Sequence, residues 1–272
     1  MDADKLINVL ADPRLAVRAL VKRSRASFER RLEWDALDRP HYAYCTYHAA
    51  RLAKALGHDA LSVVELGVAG GNGLVLLEQH AGTVADLVGI RIETVGFDAG
   101  SGMPEPADHR DLAYVWRPGS FAMDEAALRH RLRSARLVIG DVATTVPAFV
   151  EEGGYPPVGF VAFDLDYWSS TVAAMRLLDA PPELRLPRVY CYFDDVIGDD
   201  WEIHSPYAGE LLAIEDFNAG HDHIKVSPIH GLRHKRRIPA AWNDQVYVAH
   251  DFAHPRYDTH VHPGGWDLGL RG

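Results

Sequence analysis

Five short apolar runs lie along the middle of this chain: LSVVELG (61–67), TVGFDA (94–99), LVIGDV (137–142), VGFVAFDLD (158–166) and RVYCYFDDV (188–196). Each meets a glycine or an aspartate at its C-terminal end. Continuous rather than alternating apolar runs belong to strands buried on both faces. Between them, GLVLLEQHAGTVADL, DEAALRHRL, VPAFVEE and SSTVAAMRLLD carry helical periodicity. Strands separated by helices need right-handed crossovers, so the class is α/β, with a mostly parallel sheet and helices on both faces. GELLAIEDFNAG, stopped by Gly220, is a further helix, and two alternating strands, IKVSPIH and DQVYVAHDF, bring the sheet to seven.

Ahead of the first strand the pattern is helical. Leu6, Ile7, Leu10, Leu15, Val17 and Leu20 recur three or four apart, and HYAYCTYHAARLAKALG forms a second helix closed by Gly57. This predicts an N-terminal helical cap (1–57) before the main domain (58–272). A length of 272 residues with 47% hydrophobic and 24% charged content suits one such domain with an appendage. A formal charge of −10 argues against nucleic acid or an anionic membrane as the main partner. Residues 1–31 are the exception, with eight Lys/Arg against four Asp/Glu, readable as an anion-binding arm or, more commonly, a solvated helix face. Cys45 and Cys191 show no spacing pattern and read as reduced thiols. With no apolar run suited to export or to crossing a membrane, the expected location is the cytoplasm.

Ligands of parallel α/β sheets bind outside the C-terminal ends of the strands, where strand order reverses. In VVELGVAGGNG, Gly67 ends the first strand, Gly70 and Gly71 permit a tight turn, and Asn72-Gly73 start a helix. The dinucleotide frame G-x-G-x-x-G is absent, which disfavours a nicotinamide dehydrogenase. Glu65, two residues before Gly67, suits an ammonium group instead, through water or by orienting the loop. Asp98 ends the second strand and suits ribose hydroxyls; Asp141 ends the third and suits an adenine amine. Three acids in this order point to an adenosyl amino acid, with Val68, Ala69, Ser101 and Val142 completing the cofactor-binding set.

The stretches ELGVAGG, FDAGSGMP, FDLDYWSST and YFDDV together resemble class I S-adenosylmethionine-dependent methyltransferases, and most of all the macrocin-type O-methyltransferases of macrolide sugars. The resemblance covers about residues 60–200. It implies a Rossmann-like fold, S-adenosylmethionine as methyl donor, and O-methylation of a small hydroxylated acceptor of sugar or natural-product type. The family's metal-binding acids match Asp164, Asp194 and Asp195, and Asp164 also belongs to the cofactor-binding set. In this fold the fourth and fifth strands are neighbours about 5 Å apart, so these carboxylates would crowd one pocket. A hard divalent cation relieves that crowding: Mg²⁺ first, with Mn²⁺ or Ca²⁺ as options.

The general base is open between His109, in the segment after the second strand, and His204, beyond the fifth; either also suits a surface histidine. Asp166, or Ser169 and Ser170, would cap the helix that follows the fourth strand. Nine of fifteen histidines follow residue 200. His221-x-His223 and His260-x-His262 have zinc-like spacing without a third ligand, and scattered loop histidines are the plainer reading. The ending AHDFAHPRYDTHVHPGGWDLG could fold over the acceptor or pack at a subunit contact, so a homo-oligomer is open. Two rival functions stand beside the main one: a metal-independent methyltransferase of the same fold, and a non-catalytic cofactor-binding protein.

Overall fold

The computed structural model describes residues 12–264. The predicted helical positions Leu6, Ile7 and Leu10, and the end of the chain from residue 265, lie outside them. Helices α1 (Arg14–Arg23), α2 (Phe28–Glu33) and α3 (Pro40–Ala55) precede strand β1 (Ala60–Leu66). Then come α4 (Asn72–Val88), β2 (Arg91–Asp98), α5 (Glu125–Arg131), β3 (Arg136–Ile139), α6 (Val142–Glu152), β4 (Val158–Phe163), α7 (Trp168–Ala174) and β5 (Arg185–Phe193). Helix α8 (Gly209–Gly220), strand β6 (Ile224–Pro228), the short helix α9 (Leu232–Lys235) and β7 (Val246–Asp251) complete the order.

The seven strands form one sheet in the order β3-β2-β1-β4-β5-β7-β6, all parallel except β7, which runs antiparallel to both its neighbours. Order reverses between β1 and β4, and this is where such sheets open a crevice. Strand β4 is buried at every position, as its unbroken apolar sequence requires. One face of the sheet packs Phe97, Phe163, Phe193 and Val161 against α6, α7 and α8. The other packs Leu61, Phe160 and Leu186 against α3 and α4.

Helix α3 lies on the sheet itself. Its buried side is small, with Ala49, Ala50 and Ala53, and Gly159 of β4 faces it. A Cβ on Gly159 would sit 3.2 Å from that of Ala49 and 2.8 Å from Leu61 Cδ1. The missing side chain lets helix and sheet approach closely. The segment before α3 is tied to the far end of the chain, since Asp35 accepts from Arg236 at 2.7 Å and from Trp242 Nε1 at 2.9 Å. Helix α6 begins at Val142, ahead of the predicted VPAFVEE, because Asp141 Oδ1 caps it through Ala143 N–H at 2.9 Å. No helix among the described residues is long and apolar enough to cross a membrane.

Candidate active site

A cavity of about 760 Å³ opens over the C-terminal ends of β1, β2, β4 and β5. Of the predicted cofactor-binding residues, Gly67, Ala69, Asp98, Ser101, Asp141, Val142 and Asp164 line it; Glu65, Val68, Gly70 and Gly71 do not. Asp194 and Asp195 line its other side, together with Asp166 and Glu202.

The turn after β1 depends on its glycines unequally. Gly67 has φ +88°, and a Cβ there would fall 1.7 Å from the Asp164 carbonyl oxygen, so no other residue fits. Gly71 has φ +80° and a Cβ there would strike Leu128. Gly70, expected to enable the turn, has open space around it; the other left-handed position is Ala69, at φ +46°. What holds the turn is Asp98. Its Oδ2 accepts the Val68 and Ala69 N–H groups at 2.9 and 2.7 Å, and its Oδ1 accepts Gly100 N–H at 2.6 Å. The carboxylate expected from the sequence to meet a ribose shapes the loop around it.

Glu65 stands behind this turn. It is 1% exposed; Oε1 accepts the Tyr42 hydroxyl at 2.7 Å and Oε2 has no partner. Burial raises its pKa to about 7, partly offset by the Tyr42 bond and by Arg39. Gly73 makes room for it: a Cβ there would meet Glu65 Oε1 at 1.9 Å.

On the other side, β4 and β5 pair in parallel through Phe163↔Phe193, so Asp164 and Asp194 follow one residue later on adjacent strands, about 4.8 Å apart in backbone spacing. Asp194 Oδ1 accepts the Tyr192 hydroxyl at 2.5 Å. Asp195 Oδ2 accepts Asp166 N–H at 3.0 Å, with Asp166 held at φ +60°. Asp195 N–H in turn donates to Glu210 Oε2 at 3.0 Å, leaving Glu210 Oε1 buried and unpartnered. Burial, then the charges of Asp194 and Asp195, push the Asp164 pKa well up. Burial and Asp166 do the same to Asp195, while burial and Asp164 lift Asp166 to about 7. Among the described residues, no three His, Cys, Asp or Glu side chains converge in a metal-binding arrangement. The trio thus shares one cavity and one electrostatic conflict without being drawn to a point. The balancing cation is Arg39, at the N-terminus of α3: burial opposes its charge, but Tyr42, Glu65, Asp164 and Asp194 raise its pKa.

The two histidines differ. His109 is 87% exposed at its side chain and does not line the cavity. His204 is 7% exposed, with Nε2 3.4 Å from Glu202 Oε2 and Nδ1 buried without a partner. Glu202 is the member of that pair that faces the cavity. Neither Asp166 nor the serines cap α7. Asp111 does, from the loop after β2: its Oδ1 accepts Ser169 N–H and its Oδ2 the Ser169 hydroxyl, both at 2.8 Å. Asp111 and Glu210 escape a reading of the sequence because their partners lie 58 and 15 positions away, and Arg39 and Glu202 because they carry no motif. The zinc-like spacing of His221 and His223 has a local explanation: His221 Nε2 pairs with Asp179 at 2.7 Å and its ring stacks on Phe217.

No protein-family model and no curated protein matches the chain. Solved structures do. The O-methyltransferase NovP matches at a TM-score of 0.51, with 14% identity over 77% of this chain and 78% of that one. CalS11, a calicheamicin methyltransferase, matches at 0.48, with 22% identity over 92% and 94%. The O-methyltransferase TomG from Streptomyces achromogenes matches at 0.41, with 15% identity over 78% and 79%. Together with the strand order, the likeness to NovP shows that this chain has the Rossmann-like class I methyltransferase fold.

Proposed function

We propose that this protein is an O-methyltransferase that uses S-adenosylmethionine and a divalent cation, Mg²⁺ first, to methylate a hydroxyl of a small sugar-like or natural-product acceptor. One observation carries the reading. A single cavity at the sheet's switch point joins the Gly67 turn, Asp98 and Asp141 on one side to Asp164, Asp194 and Asp195 on the other. A donor-shaped half and an acid-rich half in one space suit a transfer between two bound molecules.

S-adenosylmethionine supplies a methyl group on a cationic sulfur that leaves as a neutral thioether. Gly67 lets the turn close against the Asp164 carbonyl while lining the cavity, and Asp98 fixes the turn and has one acceptor site left, on Oδ1, for a ribose hydroxyl. Asp141 has Oδ2 available beside Val142 for the adenine. Glu65 places negative charge behind Gly67, where an ammonium group gains from it. Oxygen-only donors and the mutual repulsion of Asp164, Asp194 and Asp195 suit a hard cation, which when held there lowers the pKa of an acceptor hydroxyl. Glu202, oriented by His204, accepts the hydroxyl proton within the cavity, and His204 can take it onward.

The Glu202–His204 pair also favours a second reading, in which proton removal needs no cation. EDTA dialysis separates the two. Turnover that falls to background and returns with Mg²⁺ supports the first; unchanged turnover removes the cation from the mechanism. Calorimetric titration of S-adenosylmethionine tests the premise of both, and an absence of binding at millimolar ligand ends it. Binding without methyl transfer to any acceptor would instead indicate a cofactor-binding protein.

A further inference from the structure

A second cavity, of about 720 Å³, lies on the α3 face of the sheet, away from the strand tips. Its walls follow from periodicity. His48, Arg51, Leu52 and Ala55 are spaced three and four apart on α3 and so share one face. Arg188 and Tyr190, two apart on β5, face it and pair across to His250 and Val248 of β7. The turn bearing His230 and the segment bearing His262 close the sides.

The charge of this cavity is one-sided. Among the described residues, two guanidinium groups and four imidazoles line it and no carboxylate does, in a protein of net charge −10. Arg51 lies over the Tyr47 ring, at 5.5 Å, and is exposed. Arg188 gives Nη1 to the Tyr257 carbonyl at 2.9 Å, while its Nη2 is buried without an acceptor. Burial, then Arg51 and Arg236, lower the His48 pKa to about 4, and burial and Arg188 lower that of His250. His48 and His250 are therefore held toward the neutral form, and the two arginines carry permanent charge. Leu52, Val248 and Tyr190 supply apolar and aromatic surface beside them.

We infer that this cavity is a second ligand site, which takes a small organic anion: a carboxylate or phosphate on an aromatic or apolar ring. The anion lies between Arg51 and Arg188, whose planar forks match both headgroups, and the ring lies against Tyr190 and Leu52. Arg188 is six residues from Asp194, about 20 Å along β5, so the site is separate from the strand tips. It stands whether or not the chain transfers methyl groups.

Saturation-transfer NMR on the full-length protein tests it with phenyl phosphate, benzoate, inorganic phosphate and neutral benzyl alcohol. Phenyl phosphate or benzoate should bind, and which binds better identifies the headgroup; benzyl alcohol should not. R51A should weaken binding roughly tenfold, the loss of one charge-assisted contact. R188Q should do the same, whereas D164N at the strand tips should leave it unchanged. R51A removes an exposed side chain and keeps the test valid if R188Q fails to fold. The inference falls if neither aromatic anion binds at about 10 mM, if benzyl alcohol binds equally, or if R51A binds like the parent protein while D164N does not.

Discussion

The two ends of β5 carry opposite chemistry. At its C-terminal tip, Asp194 and Asp195 join Asp164, Asp166 and Glu210 in a buried group of carboxylates, faced by Arg39. Nearer its start, Arg188 joins Arg51 and four histidines with no acid among them. Burial raises carboxylate pKa values at the first place and lowers imidazole values at the second, so the same desolvation drives both groups toward neutrality. The acids can take up protons, whereas guanidinium groups cannot shed their charge at all. As proposed, each place takes an ion of the other sign: a divalent cation among the acids and an organic anion between the arginines.

The sharpest test of the acidic end is Asp164→Asn. Turnover should fall roughly 10³-fold, as when an electrostatic anchor of reacting groups is lost. The free protein should at the same time gain stability, by about 1–2 kcal/mol, because folding no longer has to desolvate or protonate this carboxylate. Thermal denaturation beside a turnover assay measures both, and a less stable variant would mean that the carboxylates are structural.

His204→Gln comes next, with a loss of about 10²-fold in kcat and little change in KM if the Glu202–His204 pair handles the proton. The same change at exposed His109 should stay within twofold; a reversed ranking would return the base to the loop after β2.

Glu65 gives effects of opposite sign in two measurements, stability and cofactor affinity. Its pKa of about 7 lies above its unfolded value near 4.5. The folded protein therefore binds more protons between these values, and the stability that Glu65 contributes, up to about 3 kcal/mol, is lost as pH rises from 4.5 to 7. Affinity for S-adenosylmethionine should move the other way, weakening about tenfold from pH 8 to pH 6 as the carboxylate that favours the ammonium group is neutralised. E65Q should flatten both trends, and an affinity profile unchanged by E65Q would leave Glu65 a purely structural role. The smallest effect sharpens the comparison from the basic end: R51A should alter methyl transfer by less than twofold while impairing anion binding.

Much of the acidic end was legible because its signals are contiguous. FDLD and YFDD each combine an apolar strand with the acids at its tip, and parallel crossovers bring the tips together. The Gly67 turn was legible for a related reason: a Cβ fits neither its conformation nor the backbone opposite. The basic cavity was invisible, since His48, Arg51, Arg188, His230 and His250 come from four separate stretches, none with a motif of its own. Even within the acidic site, the sequence pointed to Gly70 where the left-handed residue is Ala69, which three backbone hydrogen bonds around Asp98 make tolerable.

By itself, then, the sequence determined which segments become strands, their parallel succession and the acids at their tips, because hydrophobic period and turn chemistry act over a few neighbouring residues. Only the tertiary structure decided which charges meet. It set Arg39 against the carboxylates, Asp111 under α7, Glu202 at the cavity wall and two arginines in one cavity. Those pairings depend on strand order and helix placement, which bring distant side chains within a few ångströms, where burial strengthens every charge.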